Sequence, residues 1–131
     1  MEIAKKLFKQ AKDAQANAYA PYSKYKVGAA VYTKSKNIYV GCNVENVSFP
    51  CGTCAEAGAI AAMIAGGDKE IASILILATG NNLVYPCGAC LQRIAEFATS
   101  ETVVYLADME KIRKTYTFAE LFPHGFREDI I

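Results

Sequence analysis

From Ile71 to Thr79 the chain runs through Ile, Ala, Ser, Ile, Leu, Ile, Leu, Ala and Thr without a single charge. A half-buried strand would alternate apolar with polar residues, and this run does not. It reads as a strand covered on both faces, the habit of a sheet enclosed by helices. The other long apolar stretch, Ala57 to Ala65, is rich in alanine and stops at Gly66-Gly67, as a buried helix with a glycine stop would. Both stretches fall short of the ~18 residues that suggest a membrane span. At 131 residues the chain has the length of one domain, 1–131, with a single sizeable core.

The remaining elements follow from local pattern. Ile3, Leu7, Ala11, Ala14 and Ala18 recur at helical spacing, which predicts an amphipathic first helix that Pro21 ends by forcing Ala20 out of helical geometry. Tyr25 to Thr33 and Ile38 to Cys42 flank the polar turn Lys34-Ser35-Lys36-Asn37 and read as an antiparallel hairpin. Cys54 to Ala65 and Cys87 to Ala98 are predicted helices, Thr102 to Ala107 a strand, and Phe118 to Phe122 a short last helix. The order α-β-β-α-β-α-β-α fits a sheet between helices.

Composition narrows the partners. A net charge of +1, with lysines scattered rather than striped, argues against a nucleic-acid polymer or an anionic membrane. The stretch Met1 to Gln15 has charges every few positions and no apolar h-region, so it is not read as a signal peptide, and a cytoplasmic protein is expected. Five cysteines in a reducing compartment point to thiolates for a metal or for catalysis rather than to a disulfide framework.

Cys54-Ala55-Glu56 and Pro86-Cys87-Gly88-Ala89-Cys90 each stand where a loop turns into a predicted helix. Helix starts carry unpaired N–H groups and a partial positive charge, which favour the thiolate. Two such starts brought together can present Cys54, Cys87 and Cys90 to one Zn²⁺, with the fourth tetrahedral position open to water. Glu56, two positions after a ligand, can reach that water without binding the metal, and zinc lowers the pKa of bound water from 15.7 towards ~7.

Cys-Ala-Glu followed some thirty residues later by Pro-Cys-x-x-Cys resembles the cytidine deaminase family. The likeness extends through Ala20-Pro21-Tyr22-Ser23, Val27-Gly28-Ala29-Ala30, Asn43-Val44-Glu45-Asn46 and Phe122-Pro123 with Phe126, in the family's order and spacing. It implies an α/β, three-layer α-β-α fold with a mixed central sheet, and one Zn²⁺ per subunit. It also implies hydrolysis of cytidine or 2′-deoxycytidine, with Glu56 as acid and base in turn. Asn43 and Glu45 match the pair that hydrogen-bonds the ribose. Tyr25, Val27 and Ala55 match positions beside the nucleoside, and Phe126 matches an aromatic supplied to the base by a neighbouring subunit. Such shared sites imply a homotetramer.

The pattern breaks at named positions. Relatives carry Arg where this chain has Ala57 and Leu91, and many carry Tyr where it has Phe49. Three thiolates around Zn²⁺ leave a net negative charge that arginine donors normally temper. A slower enzyme or a compensating donor is therefore expected, and Arg93, further along the helix than Leu91, is expected to point elsewhere. A deaminase of a modified aminopyrimidine nucleoside, similar to blasticidin S deaminase, is the alternative within enzymes. Cys51 also forms a pair with Cys54, so a four-cysteine structural zinc site in a binding module stays open, although 32 residues separate Cys54 from Cys87. A redox dithiol at Cys87 and Cys90 is a third reading. Cys51 is expected to be a small buried hydrophobe, Cys42 to pack on a strand, and His124 to be a surface residue.

Overall fold

The computed structural model describes residues 2–80 and 82–128. A five-stranded sheet runs in the order β2-β1-β3-β4-β5, built from β1 (Val27–Thr33), β2 (Ile38–Cys42), β3 (Ile71–Ala78), β4 (Val103–Ala107) and β5 (Ile112–Thr117). Only β3 and β4 are parallel, so the sheet is mixed, as expected. The apolar run is the central strand. Its Leu75 and Leu77 pack with Leu7 and Ala11 of α1 (Glu2–Ala16), while Ile74 and Ile76 face Ala59, Ile60 and Met63 of α2 (Ala55–Ala65) and Ile94 of α3 (Gly88–Ala95). Alternate side chains of one strand thus serve two separate cores. The result is three layers, α-β-α.

Two glycines let the helices seat closely. A Cβ at Gly28 would collide with the backbone of Ala11 and Gln15 in α1, and one at Gly41 would collide with Ala55, Gly58 and Ala59 in α2. Gly41 therefore fixes how near the N-terminal turn of α2 lies to β2. That turn carries Glu56.

Some boundaries differ from the pattern-based reading. α1 ends at Ala16, four residues before Ala20, and its Gln15 is buried, with its amide donating to Thr79 Oγ1 at 3.1 Å and the Lys26 carbonyl at 3.3 Å. The reading had no counterpart for β5, nor for the short 3₁₀ turn Phe49–Cys51. A fourth helix, α4 (Phe118–Leu121), is closed by a capping box between Thr117 and Glu120. No helix among the described residues is long and apolar enough to cross a membrane.

Candidate active site

Cys54 is the N-cap of α2 and Cys87 the N-cap of α3, and neither side chain caps its own helix. Their carbonyls accept the first helical bonds instead, from Gly58 N at 3.1 Å and Leu91 N at 2.9 Å. The thiols are left exposed at two positively polarised helix starts. Cys90, one turn into α3, is buried. Glu56, on the first turn of α2, is 5% exposed. All four line one cavity of about 650 Å³, together with Asn43, Glu45, Val27, Ala55, Phe49 and Tyr85 among others.

The polar wall is built by a short extended segment. Val44 pairs with Tyr19 on one side and Thr53 on the other, which holds residues 43–45 extended. In such a segment residues two apart share a face, so Asn43 and Glu45 stand side by side. Asn43 accepts from Val27 N at 2.9 Å and donates to the Tyr25 carbonyl at 2.8 Å. Glu45 accepts from Tyr22 N at 2.9 Å, from Ser23 N at 3.1 Å and from the Ser23 hydroxyl. The Ser23 hydroxyl, above all, holds the Glu45 carboxyl below the usual carboxylate range.

The floor is electrostatically opposed to this wall. Burial raises the Glu56 carboxyl, against the smaller downward pull of its own amide, the Cys90 thiol and the Arg93 charge. Burial also pushes the Cys90 thiol well up, and Glu56, Cys54 and Cys87 add to the effect. Acidic groups that share one cavity, and whose charged forms burial and mutual repulsion disfavour, are what a divalent cation would stabilise. The donor set therefore fits zinc in its chemistry. Among the described residues, no three His, Cys, Asp or Glu side chains already stand at metal-holding spacing.

Two expected substrate residues lie off the cavity. Tyr25 contributes its carbonyl to Asn43 and is absent from the lining, and Phe126 is 59% exposed on another face. There Gln92 clasps the Phe126 backbone twice, donating to its carbonyl at 2.9 Å and accepting from its amide at 3.3 Å. Cys51 is exposed rather than buried; its thiol donates to Ser48 Oγ at 3.5 Å, and it does not line the cavity, which removes it from any four-thiol cluster there. Cys42 is half-buried at the end of β2, and His124 is exposed.

Arg93 corrects the sequence reading. It does not point away: its Nη1 donates to Cys90 Sγ at 3.6 Å. Measured from Leu91 it looks misplaced, but it is three residues after Cys90, the spacing of helical neighbours. Tyr22 and Ser23, which brace Glu45, and Tyr85, which lines the cavity and shares a 2.8 Å hydrogen bond with Tyr116 of β5, were also given no role by the sequence. Ser23 was within reach, since a hydroxyl near a carboxylate is a common partner, but nothing local linked it to Glu45.

A three-layer α/β scaffold with thiols and a buried acid at one cavity floor has the donor chemistry of a zinc-dependent hydrolase. A family model described as the cytidine and deoxycytidylate deaminase zinc-binding region matches residues 1–106. The cytidine deaminase of Sporosarcina psychrophila is 38% identical over 126 residues, covering 95% of this chain and 93% of its own. That of Halalkalibacterium halodurans is 37% identical over 120 residues, covering 92% and 91%. The crystal structure of cytidine deaminase from Burkholderia pseudomallei superposes with a TM-score of 0.86 at 36% identity, over 93% of this chain and 98% of that one. The chain belongs to the cytidine and deoxycytidylate deaminase family, and it is a zinc-dependent hydrolytic deaminase.

Proposed function

We propose that the chain, a single domain, converts cytidine and 2′-deoxycytidine to uridine and 2′-deoxyuridine with release of ammonia, a pyrimidine-salvage reaction. The relatives named above support the substrate class. The observation that carries the chemistry is the buried Glu56, two residues after Cys54 on the first turn of α2, lining the cavity shared with Cys87 and Cys90.

Cys54, Cys87 and Cys90 would hold the zinc, which when bound supplies a Lewis acid that acidifies water. Glu56 takes a proton from the attacking water and passes it to N3 of the pyrimidine as the oxygen adds to C4. The C4–N bond then breaks, and Glu56 protonates the departing amine. Water and nucleoside become ammonia and the uridine product, so atoms balance. Burial suits Glu56 to this work, because a raised carboxyl pKa makes it a better base.

Asn43 and Glu45 take the ribose hydroxyls, with Val27 and Ala55 forming apolar and backbone walls beside them. Both polar residues are already braced by backbone N–H groups, which makes the pocket rigid before substrate arrives. Phe126 and Tyr25 serve the base and its surroundings in a homotetramer, Phe126 reaching a neighbour's cavity; its exposure and its clasp by Gln92 support that role. All five cysteines are free thiols, which suits a cytoplasmic enzyme.

The decisive experiment is Glu56→Gln. It should retain zinc yet lose roughly 10²–10⁴-fold in ammonia release from cytidine, the usual worth of a general acid–base group. Light scattering should report four subunits. Parent protein that turns over neither cytidine nor deoxycytidine nor any related aminopyrimidine nucleoside would overturn the proposal.

A further inference from the structure

Among the described residues, the cavity lining holds Glu45, Glu56 and three cysteines and contains no lysine, arginine or histidine. On the reading above, three thiolates around a dication leave one net negative charge, and Glu56 adds a second. Ala57 and Leu91 occupy the positions where arginines were expected, so neither can offset it. The cation comes from behind the floor instead. Arg93 sits on α3 three residues after Cys90, and its Nη1 donates to Cys90 Sγ at 3.6 Å. Its charge also acts on Glu56.

We infer that Arg93 is a positioning residue for the metal site: its guanidinium donates to the Cys90 thiolate and offsets the charge shared by the thiols and Glu56. The contact is made by a helical i,i+3 pair, so it is set by α3 alone and needs no rearrangement of the loops. A donor to a coordinating sulfur lowers the sulfur's electron density, which leaves the metal a stronger Lewis acid. Arg93 is exposed on its other side, so its removal leaves no hole in the core. Lysine in its place would keep the charge but lose the planar fork.

The inference rests on Cys90 being a zinc ligand, and the test separates the two claims. Zinc affinity of the parent, Arg93→Ala and Arg93→Lys is measured by competition with a chromophoric chelator. The thiolate-to-metal charge-transfer band is recorded on the same three proteins loaded with Co²⁺, and melting of the metal-free forms controls for folding. Arg93→Ala should lose roughly 10- to 100-fold in zinc affinity, the usual cost of removing a partner of a metal ligand, and its band should move to lower energy. Arg93→Lys should recover part of both, while metal-free melting stays at the parent's temperature. A parent that binds zinc and deaminates cytidine, beside an Arg93→Ala protein with affinity within about twofold and an unmoved band, overturns the role of Arg93 alone. A parent that binds no zinc overturns the metal site and this inference with it.

Discussion

Replacing Gly41 by alanine places a methyl group against the N-terminal turn of α2. The new Cβ would stand 2.5 Å from the Ala55 carbonyl oxygen and 2.8 Å from the Gly58 carbonyl carbon, with Ala59 N nearer still. All three are backbone atoms, so no side chain can swing aside. To restore ordinary contact, the turn must retreat from β2 by roughly 1 Å, and forcing extra volume into a packed core costs about 1–3 kcal/mol. For a chain of this length that is a fall of roughly 4–12 °C in melting temperature. The retreat also moves Ala55 and Glu56, and a misplacement of about 1 Å can cost on the order of 10²-fold in rate. Gly67→Ala is the matched control. Its φ of +96° makes alanine strained there, yet nothing lies within 4 Å, and it is at the opposite end of α2. It should lose about 1–3 kcal/mol of stability while keeping the parent's kcat. Thermal melts and ammonia release, both recorded well below either melting point, separate the two. Gly41→Ala with parental kcat, or Gly67→Ala with an equal loss of rate, would refute the claim that Gly41 sets the position of Glu56.

Ser23→Ala removes one of the partners that hold the Glu45 carboxylate. Steady-state kinetics should show KM for cytidine rising with kcat nearly unchanged; an equal fall in kcat would place Ser23 in the chemistry instead. Asp108, held down to about 2 chiefly by the Lys111 and Glu110 amides and then by Arg113, has a folded-state pKa below its unfolded value near 3.8. Its contribution is therefore present above about pH 4 and lost as pH falls towards about 2. The melting-temperature gap between the parent and Asp108→Asn should shrink on acidification from about pH 6 to about pH 3, and a gap that widens would contradict the assignment.

The elements legible in sequence are those whose pattern is set by burial. β3 was readable because it is apolar on both faces, and α2 because its alanine-rich length ends at two glycines. β5 was not, since Ile112–Thr117 is an edge strand whose Arg113, Lys114 and Thr115 are exposed, and a charged edge looks like a loop to any apolar count. Gln15 is the opposite case: a polar residue in a lysine-rich helix is buried because Thr79 and the Lys26 carbonyl satisfy its amide. In the site, Cys54 and Cys87 were legible as loop-to-helix junctions because a helix start is a local feature of the chain. Arg93 was not, because the relevant interval ran from the sulfur at Cys90 and not from the vacant arginine position at Leu91.

If Asn43 and Glu45 take the ribose hydroxyls as proposed, their existing hydrogen bonds bear on specificity. Asn43 already commits its oxygen to Val27 N and one N–H to the Tyr25 carbonyl, which leaves its second N–H and a lone pair for a sugar hydroxyl. Glu45 has accepted three donors and, as a carboxylate with about four acceptor sites, keeps room for about one more. Neither group can rotate towards a different ligand without breaking backbone contacts, those of Asn43 to Val27 and Tyr25 and those of Glu45 to Tyr22 and Ser23. A nucleoside lacking the matching hydroxyl would leave Glu45 an unfilled, partly desolvated acceptor, and such vacancies discriminate far more strongly than a missing methylene does. On the proposed ribose role of Glu45, selectivity for the sugar would arise from the loop that braces the carboxylate as much as from the carboxylate, which brings Ser23 into the recognition problem although it need not touch the substrate.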